Sequence, residues 1–290
     1  MSAELATASP TWRVLLRGAA DSLGDRTAAR WLVEEAAQTD AAGLLARLDE
    51  HADPAAAERL GTALARRHAG EPLQHILGHW PFAGTELRVD RRALVPRPET
   101  EVLVEAAHTE LGLAAGSAHV VVDLGTGSGA IACALVASRR DVTVFGVERA
   151  DAALSLAGEN RAALAGSARE RLFLLAGSWY EPLPAQVRGA VTLVVANPPY
   201  LAAEEWAGLD AVVRDHDPYD ALVAGPTGLE AIEAVIAGAP AVLARPGALL
   251  CEIAPHQHAE VSARARAAGA REVAVLADLA GRPRVVRARW

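Results

Sequence analysis

The stretch "VVVDLGTGSGAIACAL", Val120 to Leu135, constrains the fold of this chain more than any other. A run of β-branched residues ends in Asp123-Leu124, three glycines follow at alternate positions, and an alanine-rich helical segment begins at once. The strand-and-helix rhythm continues through "DVTVFGVE", "VTLVVANPP", "GALLCEIA" and "EVAVLAD", with helical stretches between the first several. Strands alternating with helices predict a mostly parallel sheet covered on both faces. The last piece, "RPRVVRARW", follows "EVAVLAD" across the short turn Leu279-Ala280-Gly281, and strands joined so tightly run antiparallel. The expected class is α/β: a Rossmann-like, mostly parallel sheet with an antiparallel terminal strand.

The segment before this sheet has a different period. "TAARWLVEEAAQ" has amphipathic helical spacing, and "DPAAAERLGTALARRHAG" carries an Asp53 cap, Pro54 at the first helical position and Gly70 as a stop. Residues 1–73 therefore read as a small helical domain. In residues 74–96, Pro81-Phe82 and Gly84 break the helical period and Glu86 to Asp90 alternates, which predicts a β-hairpin linker. Residues 97–290 form the expected catalytic domain. Glu99 and Glu101, just after Pro98, favour the positive end of a new helix.

Composition narrows the function classes. The 290 residues are 51 % hydrophobic and 22 % charged, with a net charge of -8 and no lysine. That balance argues against a direct grip on nucleic acid, which rests on neutralising phosphates. Arg91, Arg92 and Arg97 read as a solvated face rather than a binding patch. Cys133 and Cys251 sit in apolar stretches without metal-ligand spacing, so free buried thiols in a reducing compartment are expected, and no metal site. The N-terminus lacks the pattern of a signal peptide, and no uncharged stretch approaches membrane-spanning length. A cytoplasmic monomer with no membrane partner is expected.

The glycine loop carries the first chemical signal. Gly125, Gly127 and Gly129 follow a G-x-G-x-G spacing, not the G-x-G-x-x-G of dinucleotide folds. Asp123, two residues ahead, would repel a pyrophosphate but suits a cationic amino or sulfonium group. Glu148, at the end of the second strand, can accept hydrogen bonds from two vicinal ribose hydroxyls. Loop and acid together indicate an adenosine cofactor without a phosphate cradle, which S-adenosyl-L-methionine fits.

The second signal is "NPPY". Asn197 ends the fourth core strand, at the edge where open α/β sheets bind ligands. Pro198 and Pro199 remove two backbone donors, and Tyr200 adds a flat face with a hydroxyl tip. The Asn197 side-chain oxygen and the Pro198 carbonyl are then acceptors for a planar NH2 group. Hydrogen bonds to both of its N–H groups favour pyramidal geometry and concentrate the nitrogen lone pair toward a methyl donor.

With "EPLQHILG", "LVPRPETE", "DLGTGSGAIA", "GSWYEPL", "NPPY" and "DLAGRPRVV" in place, the chain resembles the release-factor glutamine methyltransferases over almost its whole length. The glycine loop and NPPY are shared with other amino-group methyltransferases; "RPETE" and "DLAGRPRVV" are more specific to this family. The resemblance implies a class I methyltransferase fold. It also implies N5-methylation of the glutamine in the Gly-Gly-Gln motif of class I peptide-chain release factors. Carried onto this chain, Gly125, Thr126, Gly127, Ser128 and Gly129 would hold the methionine part of the cofactor and Glu148 its ribose. Trp179 would line the adenine side, and Asn197 would face both cofactor and substrate. With Pro198, Pro199 and Tyr200, Asn197 would grip the substrate amide, while the N-terminal helices help dock the protein substrate.

The chain departs from the family pattern with Glu148 in place of Asp, and with Ala254-Pro255 where a glycine is usual after Glu252-Ile253. "RDHDPYDAL", Arg214 to Leu222, matches only loosely and reads as a polar loop over the active site. Three alternatives remain at this point: a sister enzyme acting on a ribosomal protein glutamine, an adenine-N6 methyltransferase of nucleic acid, and a non-enzymatic binding module.

Overall fold

The protein is described here by a computed structural model, which covers residues 9–290. The first eight residues of the expected helical domain lie outside the described residues. The chain divides into two compact units, residues 1–78 and 79–290.

The first unit holds helices α1 (Trp12–Leu23), α2 (Arg26–Ala37), α3 (Ala41–Ala46), α4 (Pro54–His68) and α5 (Leu73–Leu77). Each of the first four begins on a Thr or Asp whose side chain accepts a backbone N–H: Thr11, Asp25, Asp40 and Asp53. Such caps contribute about 1 kcal/mol apiece. Trp12, Leu32, Val33 and Leu60 are buried between the helices. In "EPLQHILG", Arg66 binds Glu71 at 2.7 and 2.6 Å and also reaches the His75 carbonyl. Gly78, at φ 77°, then ends α5.

The second unit opens with the hairpin β1 (His79–Phe82) and β2 (Thr85–Arg88), which pair antiparallel. The expected 74–96 linker is thus divided, with α5 in the first unit and the hairpin in the second. The reason is packing. The alternation through Glu86-Leu87-Arg88-Val89 turns one side inward, and Phe82, Leu87 and Val89 are buried in one cluster with α6 (Glu101–Leu113) and α7 (Ala130–Ser138).

A seven-stranded sheet forms the centre. Its strands are β3 (His119–Leu124), β4 (Val142–Glu148), β5 (Leu172–Ala176), β6 (Val191–Ala196), β9 (Leu243–Glu252), β10 (Glu272–Ala277) and β11 (Pro283–Arg289). The spatial order is β10-β11-β9-β6-β3-β4-β5. Every pairing from β9 to β5 is parallel, whereas β11 runs antiparallel to both β10 and β9. The antiparallel terminal strand expected from the short turn is therefore present, inserted between two strands rather than at an edge. β5, the "LFLLA" edge strand, is the one that the sequence rhythm did not single out.

Side chains alternate across the sheet with a period of two. Val121, Val144, Leu193 and Leu250 face α6 and α7, and Val122, Leu124, Val194 and Cys251 face the other way. The second face packs on α11 (Glu230–Val242) and α12 (His258–Ala267) through Ile232, Val235, Ile236 and Val261. Both faces being dry explains why these strands read as unbroken apolar runs. Cys133 and Cys251 are free and buried, and burial pushes the Cys133 thiol up to about 12.

Three further helices complete the unit: α8 (Asp151–Ala163), α9 (Ala211–His216) and α10 (Tyr219–Leu222). A two-strand pair joins β7 (Leu201–Ala202) and β8 (Val223–Gly225). Among the described residues, no helix is long and apolar enough to cross a membrane.

Candidate active site

The register of the sheet assembles the site. Leu124 pairs with Val147 and with Ala196, and Ala196 pairs with Cys251. The next residue on each strand is Gly125, Glu148, Asn197 and Glu252, so four strands present one row at their carboxyl ends. The chain leaves β3 toward β4 on one side and later returns to β6 on the other, which opens a crevice at this row.

A cavity of about 300 Å³ occupies that crevice. Its walls include Gly125, Thr126, Gly127, Ser128, Glu148, Trp179, Asn197 and Pro199 of the residues expected from sequence. Asp123, Gly129, Pro198 and Tyr200 are not on its walls. Asp123, Gly129 and Pro198 are buried, and Tyr200 is half-buried.

Asp123 is wholly buried beneath the loop, and its Oδ2 accepts the Thr126 hydroxyl at 2.6 Å. Burial pushes its carboxyl up to about 7, against the pull of Thr126 and of the Ala132 amide, with the Glu148 charge adding to the rise. Among the described residues, its second oxygen, Oδ1, has no hydrogen-bond partner. The direct cationic contact expected for Asp123 is thus not displayed; the side chain ties the loop to β3 instead.

Gly129 starts α7 at φ 80°, and a Cβ there would meet the Ala157 methyl at 3.2 Å. It lets α7 and α8 approach closely under the loop. Glu148 projects into the cavity with both oxygens anchored. Oε2 accepts the Gly127 amide and Oε1 the Ala150 amide, each at 2.9 Å. The carboxylate is held rigid, and each oxygen keeps a further lone pair for a ligand hydroxyl. Trp179 also lines the cavity, in a left-handed conformation, φ 47°, a strain of the kind that accumulates at functional sites.

At the other end of the cavity, Asn197 donates its Nδ2 to the Thr100 hydroxyl at 3.2 Å. Burial raises the Tyr200 phenol above its ordinary range, and the charge of Glu252 adds to the rise. The Tyr200 backbone is held hard. Its carbonyl accepts Gln257 Nε2 at 2.9 Å, and a Cβ on Gly228 would meet that carbonyl at 2.7 Å.

The "RPETE" segment accounts for much of this geometry. Arg97 pairs with buried Asp217 of the "RDHDPYDAL" segment, and Glu99 lies 3.5 Å from Arg282 of "DLAGRPRVV". Thr100 holds Asn197, and Glu101 accepts the Ala83 amide in the hairpin turn at 3.1 Å. Pro218 and Asp220 line the cavity, so the loosely matching segment lies beside the site. Arg92 pairs with Asp90 and Glu159. Among the described residues, no group of three or more His, Cys, Asp or Glu could hold a metal ion.

Sequence reasoning missed Thr100, Gln257 and Asn160 as structural partners of the site. Asn160 is buried and joins the hairpin at Arg88 to the Ser128 carbonyl, at 2.7 and 2.8 Å. Their motif membership or spacing carried no signal of contact, because each acts on residues distant along the chain.

The donor set fits S-adenosyl-L-methionine. A rigid carboxylate suits a ribose diol, an aromatic wall suits adenine, and Gly125 and Gly127 leave bare backbone where the loop turns.

Comparisons with known proteins agree with this geometry. Residues 12–78 match the family described as PrmC N-terminal domain, and residues 98–214 match the methyltransferase small domain. A protein of Cereibacter sphaeroides named release factor glutamine methyltransferase is 42 % identical over 261 residues, 90 % of each chain. Proteins of the same name from Moorella thermoacetica and Deinococcus radiodurans are 43 % and 41 % identical, over 83 % and 90 % of each chain. Among solved structures, the hMettl16 catalytic domain in complex with the MAT2A 3'UTR hairpin 6 superposes with a TM-score of 0.56. It covers 81 % of each chain at 16 % identity, a likeness of fold alone. With relatives this similar along nine-tenths of its length, the chain belongs to the release factor glutamine methyltransferase family.

Proposed function

We propose that this protein methylates the side-chain amide nitrogen, N5, of the glutamine in the Gly-Gly-Gln motif of class I peptide-chain release factors. The observation that carries the reading is one cavity with the glycine loop, Glu148 and Trp179 at one end and Asn197 at the other. A methyl donor and a planar amide can meet there within one enclosure.

Gly125, Thr126, Gly127, Ser128 and Gly129 form the turn that would receive the methionine part of S-adenosyl-L-methionine, with Asp123 shaping it from below. Glu148 would take the ribose hydroxyls, and Trp179 the adenine face. The cofactor, when bound, supplies an electrophilic methyl group on a sulfonium.

The protein's own contribution lies at the amide end. Asn197 Oδ1 and the Pro198 carbonyl would accept the two N–H bonds of the substrate amide, with Pro199 on the cavity wall and Tyr200 behind it closing the group in. An amide nitrogen is a poor nucleophile because its lone pair is delocalised into the carbonyl. Accepting both N–H bonds pulls the nitrogen toward pyramidal geometry and directs the lone pair along the axis of transfer. Positioning and electrostatic complementarity then carry the rate, and the proton leaves nitrogen after the C–N bond has formed. The net charge of -8 supports a protein rather than a nucleic-acid substrate.

The test uses labelled S-adenosyl-L-methionine with four acceptors: a release factor, the same factor with its motif glutamine replaced, ribosomal proteins, and DNA. The expected label falls on the first alone. Label on DNA or on ribosomal protein, with none on the release factor, overturns the assignment.

A further inference from the structure

A segment built on two successive prolines has few handles of its own. Pro198 and Pro199 carry no backbone N–H, so the NPPY backbone can donate only at Asn197 and Tyr200. Each proline also holds φ at about -65° and restricts the residue before it. From the end of β6 at Ala196 to Tyr200 the chain is therefore stiff, and the seat of Tyr200 sets where the Pro198 carbonyl stands.

Tyr200 is seated through both its N–H and its carbonyl. The N–H donates to the Leu222 carbonyl at 3.2 Å, at the end of α10. The carbonyl accepts Gln257 Nε2 at 2.9 Å. The same nitrogen donates to the Gly228 carbonyl at 3.1 Å, and Gln257 Oε1 accepts the Ala254 N–H at 3.1 Å. This amide cannot point the other way. A backbone N–H only donates and a backbone carbonyl only accepts, so the three partners fix which end is oxygen.

The two ends of Gln257 serve different elements. Oε1 on Ala254 closes a capping box at the turn Pro255–Gln257, ahead of α12. That bond holds a helix end and needs only an acceptor. The two N–H bonds are not required by a cap; they leave the helix for the NPPY segment and for the turn before α11. Gln257 is 5 % exposed, so a donor lost there is not replaced by bulk water. Gly228, at φ 78°, packs against the same backbone: a Cβ there would meet the Tyr200 carbonyl at 2.7 Å and the Ala202 nitrogen at 2.9 Å.

We propose that Gln257 is a positioning residue for methyl transfer, whose two N–H bonds hold the NPPY segment where Asn197 and the Pro198 carbonyl meet the substrate amide. This rests on the amide-gripping reading above. Gln257 is not on the cavity walls and acts through Tyr200.

The experiment compares Gln257→Glu, Gln257→Met, Gly228→Ala and Asn197→Ala on the full chain with a release factor as substrate. Gln257→Glu keeps the shape and an acceptor for Ala254, but sets a carboxylate against two carbonyls. Its kcat is expected to fall about 10- to 100-fold, the scale of a reacting group displaced by about 1 Å. KM for the release factor and cofactor Kd stay within about threefold, since the glycine loop and Glu148 keep their bonds and a protein substrate docks through more than one amide. Gln257→Met removes cap and clamp together and is expected to lower kcat at least about tenfold, with the same unchanged KM. Gln257→Glu combined with Asn197→Ala costs less than the product of the single losses, because both act through one segment.

Parent-like kcat in Gln257→Glu, with Asn197→Ala impaired, reduces Gln257 to a helix cap; it overturns the positioning role and leaves the amide-gripping reading intact. Parent-like kcat in Asn197→Ala overturns the reading beneath it. Losses that multiply in the double variant also overturn the proposal. Should Gln257→Glu not fold, Gln257→Met and Gly228→Ala separate the same outcomes. Gly228→Ala displaces the Tyr200 carbonyl directly, so about a tenfold fall in kcat at unchanged KM is expected, and parent-like kcat in either variant overturns the proposal.

Discussion

The two ends of the cavity use the same device with opposite sequence logic. At the cofactor end, buried Asp123 accepts the hydroxyl of Thr126, and one of its oxygens is left without a partner. At the amide end, Glu252 is buried at the end of β9, and again one oxygen has no partner among the described residues. Burial pushes both carboxyls up to about 7. The first pair is three residues apart and braces a loop made of backbone. The second stands at the end of β9, on the row where Thr100, from the turn before α6, holds the single side chain of Asn197. A site that binds with main chain can be encoded locally; one that must orient an amide needs partners brought in by the fold.

If the two ends are separable, their variants separate too. Asn197→Ala is expected to lower kcat by about 10²–10³ while cofactor affinity, read by calorimetry, stays within about twofold of the parent. A comparable loss of cofactor affinity would merge the two ends into one. Next in size, Glu148→Ala removes the anchored carboxylate that holds the Gly127 and Ala150 amides. Cofactor Kd is expected to rise about 10²-fold, as for two hydrogen bonds to a charged group, with kcat at saturating cofactor within a few-fold of the parent. A large drop in that saturated kcat would show that Glu148 acts in the chemistry as well.

This contrast also explains how much could be read from the sequence. The glycine loop, Glu148 and "NPPY" stand at strand ends, and the strand-helix rhythm alone predicts that they converge on one edge. The short turn Leu279-Ala280-Gly281 likewise predicts the antiparallel β11. What the sequence could not display is long-range pairing. "RPETE" marks the family, yet only the fold shows that Arg97, Glu99, Thr100 and Glu101 bind Asp217, Arg282, Asn197 and the hairpin turn. Asp123 looks from sequence like a ligand contact because its position before the loop is visible, whereas its total burial is set by the sheet. The hairpin looks like a linker because its length and turn are local, whereas the seating of Phe82 and Leu87 against α6 and α7 is not.

The smallest expected effect is also the one that distinguishes the two buried acids. Thr100's hydroxyl and the charge of Arg284 pull the Glu252 carboxyl down, while burial and the charge of Glu99 push it up, leaving it at about 7. Below that pH the acid is protonated, and the buried charge beside the row that carries Asn197 is lost. Turnover at saturating cofactor is therefore expected to rise with pH through about 7, by about tenfold between pH 6 and 8 for one titrating group. Asp123 titrates in the same range, but its ionisation bears on the loop that receives the cofactor, so it is read in cofactor Kd and vanishes from kcat at saturation. Glu252→Gln removes the rise in kcat and leaves the pH dependence of cofactor Kd, whereas Asp123→Asn does the reverse. A rise in kcat that survives Glu252→Gln would place the titrating group elsewhere and uncouple the amide end from its carboxylate.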